Sequence, residues 1–304
     1  MAYDSIVCVK QVPDTSNITG EAMKPDGTVN RAALPAVFNP DDLYALEAAL
    51  EIRERFGGTV TAISMGPLGA CEVLRECLYR GVDRAILVND RRAAASDTLA
   101  TSYILSRAVH TVGRYDFVFC GRQAIDGDTA QVGPQLAEKL HIPQATYFER
   151  LVELDDRTAR IRRNVGNGWE IIETPLPLLC TVLDTANAPR PPAARRVMQY
   201  KRARTPDEIA REIEDRMPDA SDEQKQAECA RRLETLKARN LLIHQWNLER
   251  IEADLDWCGL SGSPTKVHRI QSIVLKKQGY AEIPPTKEGA QQLIHELVVD
   301  RTFG

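Results

Sequence analysis

GRQAIDGDTAQVGP, running from Gly121 to Pro134, joins the apolar run DFVFC (116–120) to the helix-like run QLAEKL (135–140). A plain connection between a strand and a helix needs a few polar residues. This one holds two acids, small turn-forming residues and a Gly-Pro pair, which is the composition of a loop built around a ligand. Working outward, SIVCVK (5–10), TVTAISM (59–65) and RAILV (84–88) join DFVFC as short buried strands. Near-continuous apolar runs of this length suit a parallel sheet covered on both faces.

Helical patterns lie between these strands. NPDDLYALEAALEIRERF (39–56) opens with Asn39 as the expected N-cap and Pro40 in the first helical position. Asp41 and Asp42 stand where the helix dipole favours acids, and Leu43, Leu46 and Leu50 line one face. PLGACEVLRECLYRG (67–81) ends on Gly81 as a C-cap, and SDTLATSYILSRAV (96–109) is capped by Ser96 or Asp97. Strands alternating with such helices predict an α/β fold with a doubly wound, mostly parallel, Rossmann-like sheet. Ligands of such sheets sit beyond the carboxyl ends of the strands, where the strand order reverses. Gly121–Pro134 falls on that edge.

Beyond about Phe148 the pattern changes. RLVELDDRTARIRRNV (150–165) reads as two alternating strands around Asp155–Asp156, and NGWEIIETPLPLLCTVL (167–183) adds a turn and more strand, giving a small antiparallel hairpin region. NAPRPPAARR (187–196) is a Pro-rich break with no regular structure. Residues 221–257 read as one long helix with a Ser-x-x-Gln cap, 259–267 as a loop and 286–300 as a final helix. The expected organisation is a nucleotide-binding domain over residues 1–200. An extended, charged and partly helical C-terminal arm follows over 201–304, packing on a partner or on the first domain.

Composition narrows the function. With 304 residues, 43% hydrophobic and 27% charged, the chain can bury a substantial core. A net charge of -4 points away from a general nucleic-acid binder. The 7 cysteines form no Cys-x-x-Cys pair and sit mostly in apolar runs, as buried free thiols of a reducing, cytoplasmic compartment would. The 5 histidines have no ligand spacing, so no metal site is expected, and no apolar run reaches membrane-spanning length. Neither Gly-x-Ser-x-Gly nor a Walker loop appears, which leaves a hydrolase reading without support.

Within the opening stretch, Asp128 and Gln131 form an Asp variant of the capping box and set a helix start near Thr129. Unpaired amides at such a start suit a phosphate or pyrophosphate. Gly127, Ala130 and Gly133 let a bulky ligand approach the backbone, Pro134 leaves the Ala130 carbonyl free or bends the helix, and Arg122 adds a fixed positive charge for an anion or an electron-rich ring. The same residues also describe a capped helix after a tight turn with Arg122 in solvent. KQVPDT (10–15), FNPDDL (38–43) and SMGP (64–67) place further polar or small loops on the same sheet edge, and convergence favours a nucleotide pocket.

Taken in order, VKQVPDT, NPDDLYALEAAL, ISMGP, GVDRAILV, SDTLATS and GRQAIDGDTAQVGP resemble the beta subunit of electron-transfer flavoproteins over roughly residues 3–200. NAPRPPAARRVMQYKR (187–202) resembles that family's partner-recognition loop, and GLSGSPTKV its C-terminal segment. The resemblance implies pairing with an alpha subunit that carries FAD, and a second nucleotide site in this chain. By position that site takes Cys8, Val9, Asn39, Asp41, Asp42, Met65, Gly66, Arg122, Ala124, Ile125, Asp126, Gly127, Asp128, Thr129, Ala130, Gln131, Val132, Gly133 and Gln135. GDTAQVG, in place of the shuttle branch's pattern, implies the electron-bifurcating branch with FAD rather than AMP. That branch uses NADH as donor, with ferredoxin or flavodoxin and an acyl-CoA dehydrogenase-like flavoenzyme as acceptors. Arg122 becomes the residue implied to stabilise reduced, anionic flavin.

The chain departs from the family where large apolar residues are expected in the recognition loop. Ala194 or Arg195 stands where a Leu is common, so docking falls to Val197, Met198, Lys201 and Arg202, with Arg204 completing the basic run. That run also reads as a solvated loop. The stretch from about 205 to 256 is longer than usual, and Trp246 and Trp257 could anchor a contact or pack within the fold. Two other functions stand beside bifurcation: a simple electron shuttle with structural AMP, and a non-redox nucleotide-binding module similar to the universal stress protein type.

Overall fold

The computed structural model describes residues 2–14, 34–265 and 283–299. The strands are β1 (Ser5–Cys8), β2 (Gln11–Pro13), β3 (Ala36–Phe38), β4 (Val60–Met65), β5 (Arg84–Val88), β6 (Phe117–Gly121), β7 (Gln144–Leu154), β8 (Thr158–Asn164), β9 (Trp169–Pro175), β10 (Leu178–Val182) and β11 (His244–Trp246). Helices are α1 (Pro40–Phe56), α2 (Cys71–Arg80), α3 (Thr98–Val112), α4 (Val132–Leu140), α5 (Ala194–Tyr200), α6 (Pro206–Arg216), α7 (Asp222–Ala238) and α8 (Lys287–Val299).

Nine strands form one sheet in the order β11-β5-β4-β1-β6-β10-β7-β8-β9, while β2 and β3 pair separately. Neighbours from β11 to β7 are parallel; β7–β8 and β8–β9 are antiparallel. The chain steps outward from β1 to β4 to β5, with α1 and α2 packed on one face through Leu46, Leu50 and Leu74 against Val7, Ala62 and Phe119. It then returns through α3 on the opposite face, where Ile104, Leu105 and Leu136 meet Ile6, Ile63 and Val118, to enter β6 on the other side of β1. The strand order therefore reverses between β1 and β6. Crossovers leaving these two strands go to opposite faces, which opens a crevice at their carboxyl ends.

The expected mostly parallel α/β architecture is present, with differences. The hairpin region is not separate: β7, β8 and β9 extend the central sheet, and β10 inserts between β6 and β7. The long helix expected over 221–257 stops at Ala238. Its Ser221–Gln224 capping box forms, but Asn240 adopts a left-handed φ of 56° and turns the chain into β11, which adds a parallel edge strand beside β5. Trp246 is consequently buried in the α3-side core rather than offered to a partner. Residues 194–196, the end of the stretch expected to be irregular, instead open α5. GLSGSPTKV is described only to Thr265; the rest of it lies outside the described residues. Among the described residues no helix is long and apolar enough to cross a membrane.

Two residues, Asp90 and Gly121, fix positions the sheet alone would not. Asp90, just past β5, accepts hydrogen bonds from Leu248 N (3.2 Å) and Arg92 N (2.9 Å), and pairs with the Arg92 guanidinium at 2.6 Å. It so ties the β11 exit to β5. The Arg92 guanidinium, helped by the Arg92 and Leu248 amides, holds its carboxyl down at about 2. Gly121, ending β6, lies so close to the start of α1 that an added Cβ would stand 2.5 Å from Asp42 Oδ1 and 2.6 Å from the Asp41 carbonyl carbon.

A carboxyl whose folded value is depressed stabilises above its unfolded value and loses that contribution as pH falls through the folded one. Asp90→Asn is thus expected to cost about 1 kcal/mol at neutral pH, discounted for partial exposure. It should also flatten the fall in stability between about pH 4 and pH 2, as read by urea denaturation at a series of pH values. Gly121→Ala forces backbone apart and is expected to cost about 1–3 kcal/mol. Gly127→Ala, where an added Cβ meets nothing within 4 Å, should stay within about 0.5 kcal/mol of the parent by the same urea denaturation.

Candidate nucleotide site at the strand-order reversal

Three segments meet at the crevice: the β1 exit, the start of α1, and the β6–α4 loop. Asn39 is fully buried and immediately precedes α1. It occupies the N-cap position, but its side chain makes no cap hydrogen bond. Instead Nδ2 donates to Gln123 O (2.8 Å) and Oδ1 accepts from Ile125 N (3.1 Å), pinning the β6–α4 loop. Asp41 Oδ2 accepts from Gln123 N at 3.3 Å and faces Arg122 Nε at 3.4 Å. Asp42 is buried, and its Oδ2 accepts from Lys10 N at 2.8 Å. Burial pushes the Asp42 carboxyl up to about 7, against hydrogen bonds with Asn39, Lys10 and Gly121 that pull it down.

The loop has an unusual backbone. Asp128 and Ala130 adopt left-handed φ values of 48° and 52°, a region that costs a non-glycine residue free energy and clusters at functional sites. The capping box expected between Asp128 and Gln131 does not form. Helix α4 starts at Val132, three residues later than expected, and Gln131 holds the cap position without a side-chain cap. Asp128 Oδ1 instead accepts from Gln123 Nε2 (3.0 Å), and Gln131 Oε1 from Thr98 Oγ1 (2.9 Å). Pro134 therefore lies in the first turn, where its missing N–H costs no helical hydrogen bond and bends nothing.

Other expected site residues divide by position. Cys8 and Val9 form the buried floor; Cys8 pairs in register with Cys120 on β6. A hydrogen bond with Cys8, together with burial, pushes the Cys120 thiol up, so Cys120 supplies no thiolate at neutral pH. Ala124 O accepts from the amides of Gly127 (3.2 Å) and Asp128 (2.9 Å), closing a turn whose tip, Gly127 to Thr129, is exposed. Asp126 reaches back to Lys10 Nζ at 2.7 Å. Gly133 packs so closely that a Cβ would meet Thr181 Cγ2 at 2.6 Å. Gln135 places a buried Oε1 without a hydrogen-bond partner. Met65 and Gly66 stand at the end of β4, tied to Val88 and Asn89 rather than to these loops. Sequence reasoning did not single out Lys10 or Gln123, although both sit in the motifs quoted for the edge loops.

The arrangement fits a phosphate-bearing nucleotide. The start of α4 lacks a side-chain cap, Gly127 leaves open space, and Gln135 holds an unanswered acceptor. On the remote side, α5 is fixed to α2 by Arg196, whose guanidinium donates to Leu78 O (2.7 Å) and Val82 O (2.8 Å). Ala194, Arg195, Met198, Lys201 and Arg202 are left exposed there, and Val197 half-buried.

Residues 26–207 match the family model described as the electron transfer flavoprotein domain. The electron transfer flavoprotein subunit beta of Clostridium acetobutylicum is 37% identical over 292 residues, 96% of each chain. The acryloyl-CoA reductase electron transfer subunit gamma of Anaerotignum propionicum is 47% identical over 297 residues, 96% of this chain and 97% of its own. The caffeyl-CoA reductase-Etf complex subunit CarD of Acetobacterium woodii is 37% identical over 289 residues, 95% of this chain and 90% of its own. With a matched domain over most of the sheet and near-full-length relatives, the chain belongs to the electron transfer flavoprotein family, as a subunit of the beta type.

Proposed function

We propose that the crevice between β1 and β6 holds FAD, and that the chain works with an alpha subunit as an electron-bifurcating flavoprotein. In that role it passes electrons between NADH, ferredoxin or flavodoxin, and an acyl-CoA dehydrogenase-like partner in the cytoplasm. The observation carrying the FAD reading is the β6–α4 loop. Its tip is open at Gly127, its following residues Thr129, Ala130 and Val132 are small or apolar, and it leads to an uncapped helix start. That combination leaves room for a ligand bulkier than a mononucleotide. Relatives whose names place them with acryloyl-CoA and caffeyl-CoA reductases support a flavoenzyme partner of the acyl-CoA class.

Bound FAD supplies the redox chemistry that amino-acid side chains lack. What this chain contributes is position and charge. The amides at the start of α4 would receive the pyrophosphate, and Gln135 Oε1 would accept a hydrogen bond from the ligand. Arg122, paired with Asp41, would supply a fixed positive charge that favours added negative charge on the flavin. Asn39 and Asp42 hold the loops in register. The exposed face of α5 and the basic residues after it receive the dehydrogenase, and the C-terminal residues including α8 contact the alpha subunit.

Counting flavins in the purified alpha–beta complex, by absorbance after denaturation, tests the reading: two per pair are expected. One flavin with released AMP would replace bifurcation by the simple shuttle. Gly127→Leu is expected to fold like the parent yet lose about tenfold or more in flavin affinity of the beta site, followed by flavin fluorescence. Retention equal to the parent would move the ligand away from this loop.

A further inference from the structure

Among the described residues, the cations at the crevice are Lys10 and Arg122, and the carboxyls are Asp41, Asp42, Asp126 and Asp128. Arg122 faces Asp41, and Asp128 accepts from Gln123. Lys10 differs from Arg122 in how it is held. Its backbone is fixed on both sides, N donating to Asp42 Oδ2 (2.8 Å) and O accepting from Asn39 N (3.0 Å). Its side chain spans from the β1 exit to the β6–α4 loop, where Nζ meets both oxygens of Asp126 at 2.7 and 2.9 Å. The pair thus bridges the two lips of the crevice where the strand order reverses. Lys10 is 48% exposed and Asp126 18% exposed, so the bridge lies at the mouth rather than in the core.

An ion pair open to water contributes little, commonly about 0–1 kcal/mol. A phosphate carries more charge than a carboxylate and more acceptor oxygens, and takes an ammonium in stronger, charge-assisted hydrogen bonds. A weak bridge in front of an uncapped helix start is easily exchanged for such a ligand. Resting on the nucleotide reading above, we propose that Lys10 is the side-chain phosphate contact of this crevice, beside the α4 amides, parked on Asp126 until an anionic nucleotide draws it across. Asp126 is then a competitor for the ligand, not a ligand contact. Its removal frees the cation, and the benefit depends on Lys10 being present.

AMP carries the adenine, ribose and phosphate that FAD shares, and adenosine lacks only the phosphate. Both are titrated calorimetrically into the nucleotide-depleted alpha–beta complex. Lys10→Gln is expected to weaken AMP about tenfold while leaving adenosine within about twofold. Asp126→Asn is expected to tighten AMP about threefold in the parent and to have little effect beside Lys10→Gln. Equal loss of AMP and adenosine in Lys10→Gln would overturn the proposal, and so would an Asp126→Asn gain of the same size in both backgrounds, which is simple repulsion. A parent complex that binds neither nucleotide nor FAD would sink the nucleotide reading and this inference with it.

Discussion

Everything at the site depends on how the two strands flanking the reversal are stitched together. β1 and β6 are hydrogen-bonded neighbours, yet the chain leaves them toward opposite faces, so no crossover closes the gap above them. Buried polar side chains at the start of α1 do that instead. Asn39 offers a donor to Gln123 O and an acceptor to Ile125 N, while Asp42 takes the Lys10 amide. A buried amide or carboxyl without partners would be costly, and here each partner is a backbone group of the loop being positioned. Gly121 completes the join, since its missing side chain lets β6 pass within contact distance of Asp41 and Asp42.

The stitching also explains where strain is stored. With its first half pinned by Asn39 and its end committed to α4, the β6–α4 loop reaches its helix through left-handed Asp128 and Ala130. Gly127, the residue best able to take that conformation, does not. Such a distribution leaves the space at Gly127 open where a ligand would approach, and places the conformational cost beside it.

Much of this was legible in the sequence. The apolar runs SIVCVK and RAILV, the Asp97 cap and the Gly81 helix end gave strands and helices at nearly their observed limits. Of the three edge loops read from the sequence, those after β1 and β6 meet with the start of α1 at one crevice, whereas the loop after β4 is tied to Val88 and Asn89 instead. Less legible was anything decided by tertiary contact. Asp128 and Gln131 satisfy a capping-box pattern, but their side chains are claimed by Gln123 and Thr98. Nothing in LLIHQW tells a helix from an edge strand once a charged helix precedes it; only Asn240, a residue that tolerates left-handed φ, hinted at the stop. Lys10 was hidden for another reason. A lysine after a strand is ordinary, and its reach to Asp126, 116 positions away in sequence, is a property of the folded crevice.

The account's central claim is that the β6–α4 loop and the start of α1 form the ligand-binding surface. Amide hydrogen exchange of the alpha–beta complex, with the beta site emptied and then refilled with FAD, tests it most directly. Slower exchange on refilling is expected in segments 124–133 and 39–42, with the β8–β9 ribbon unchanged. Unchanged exchange in 124–133, with protection appearing elsewhere in the chain, would contradict it.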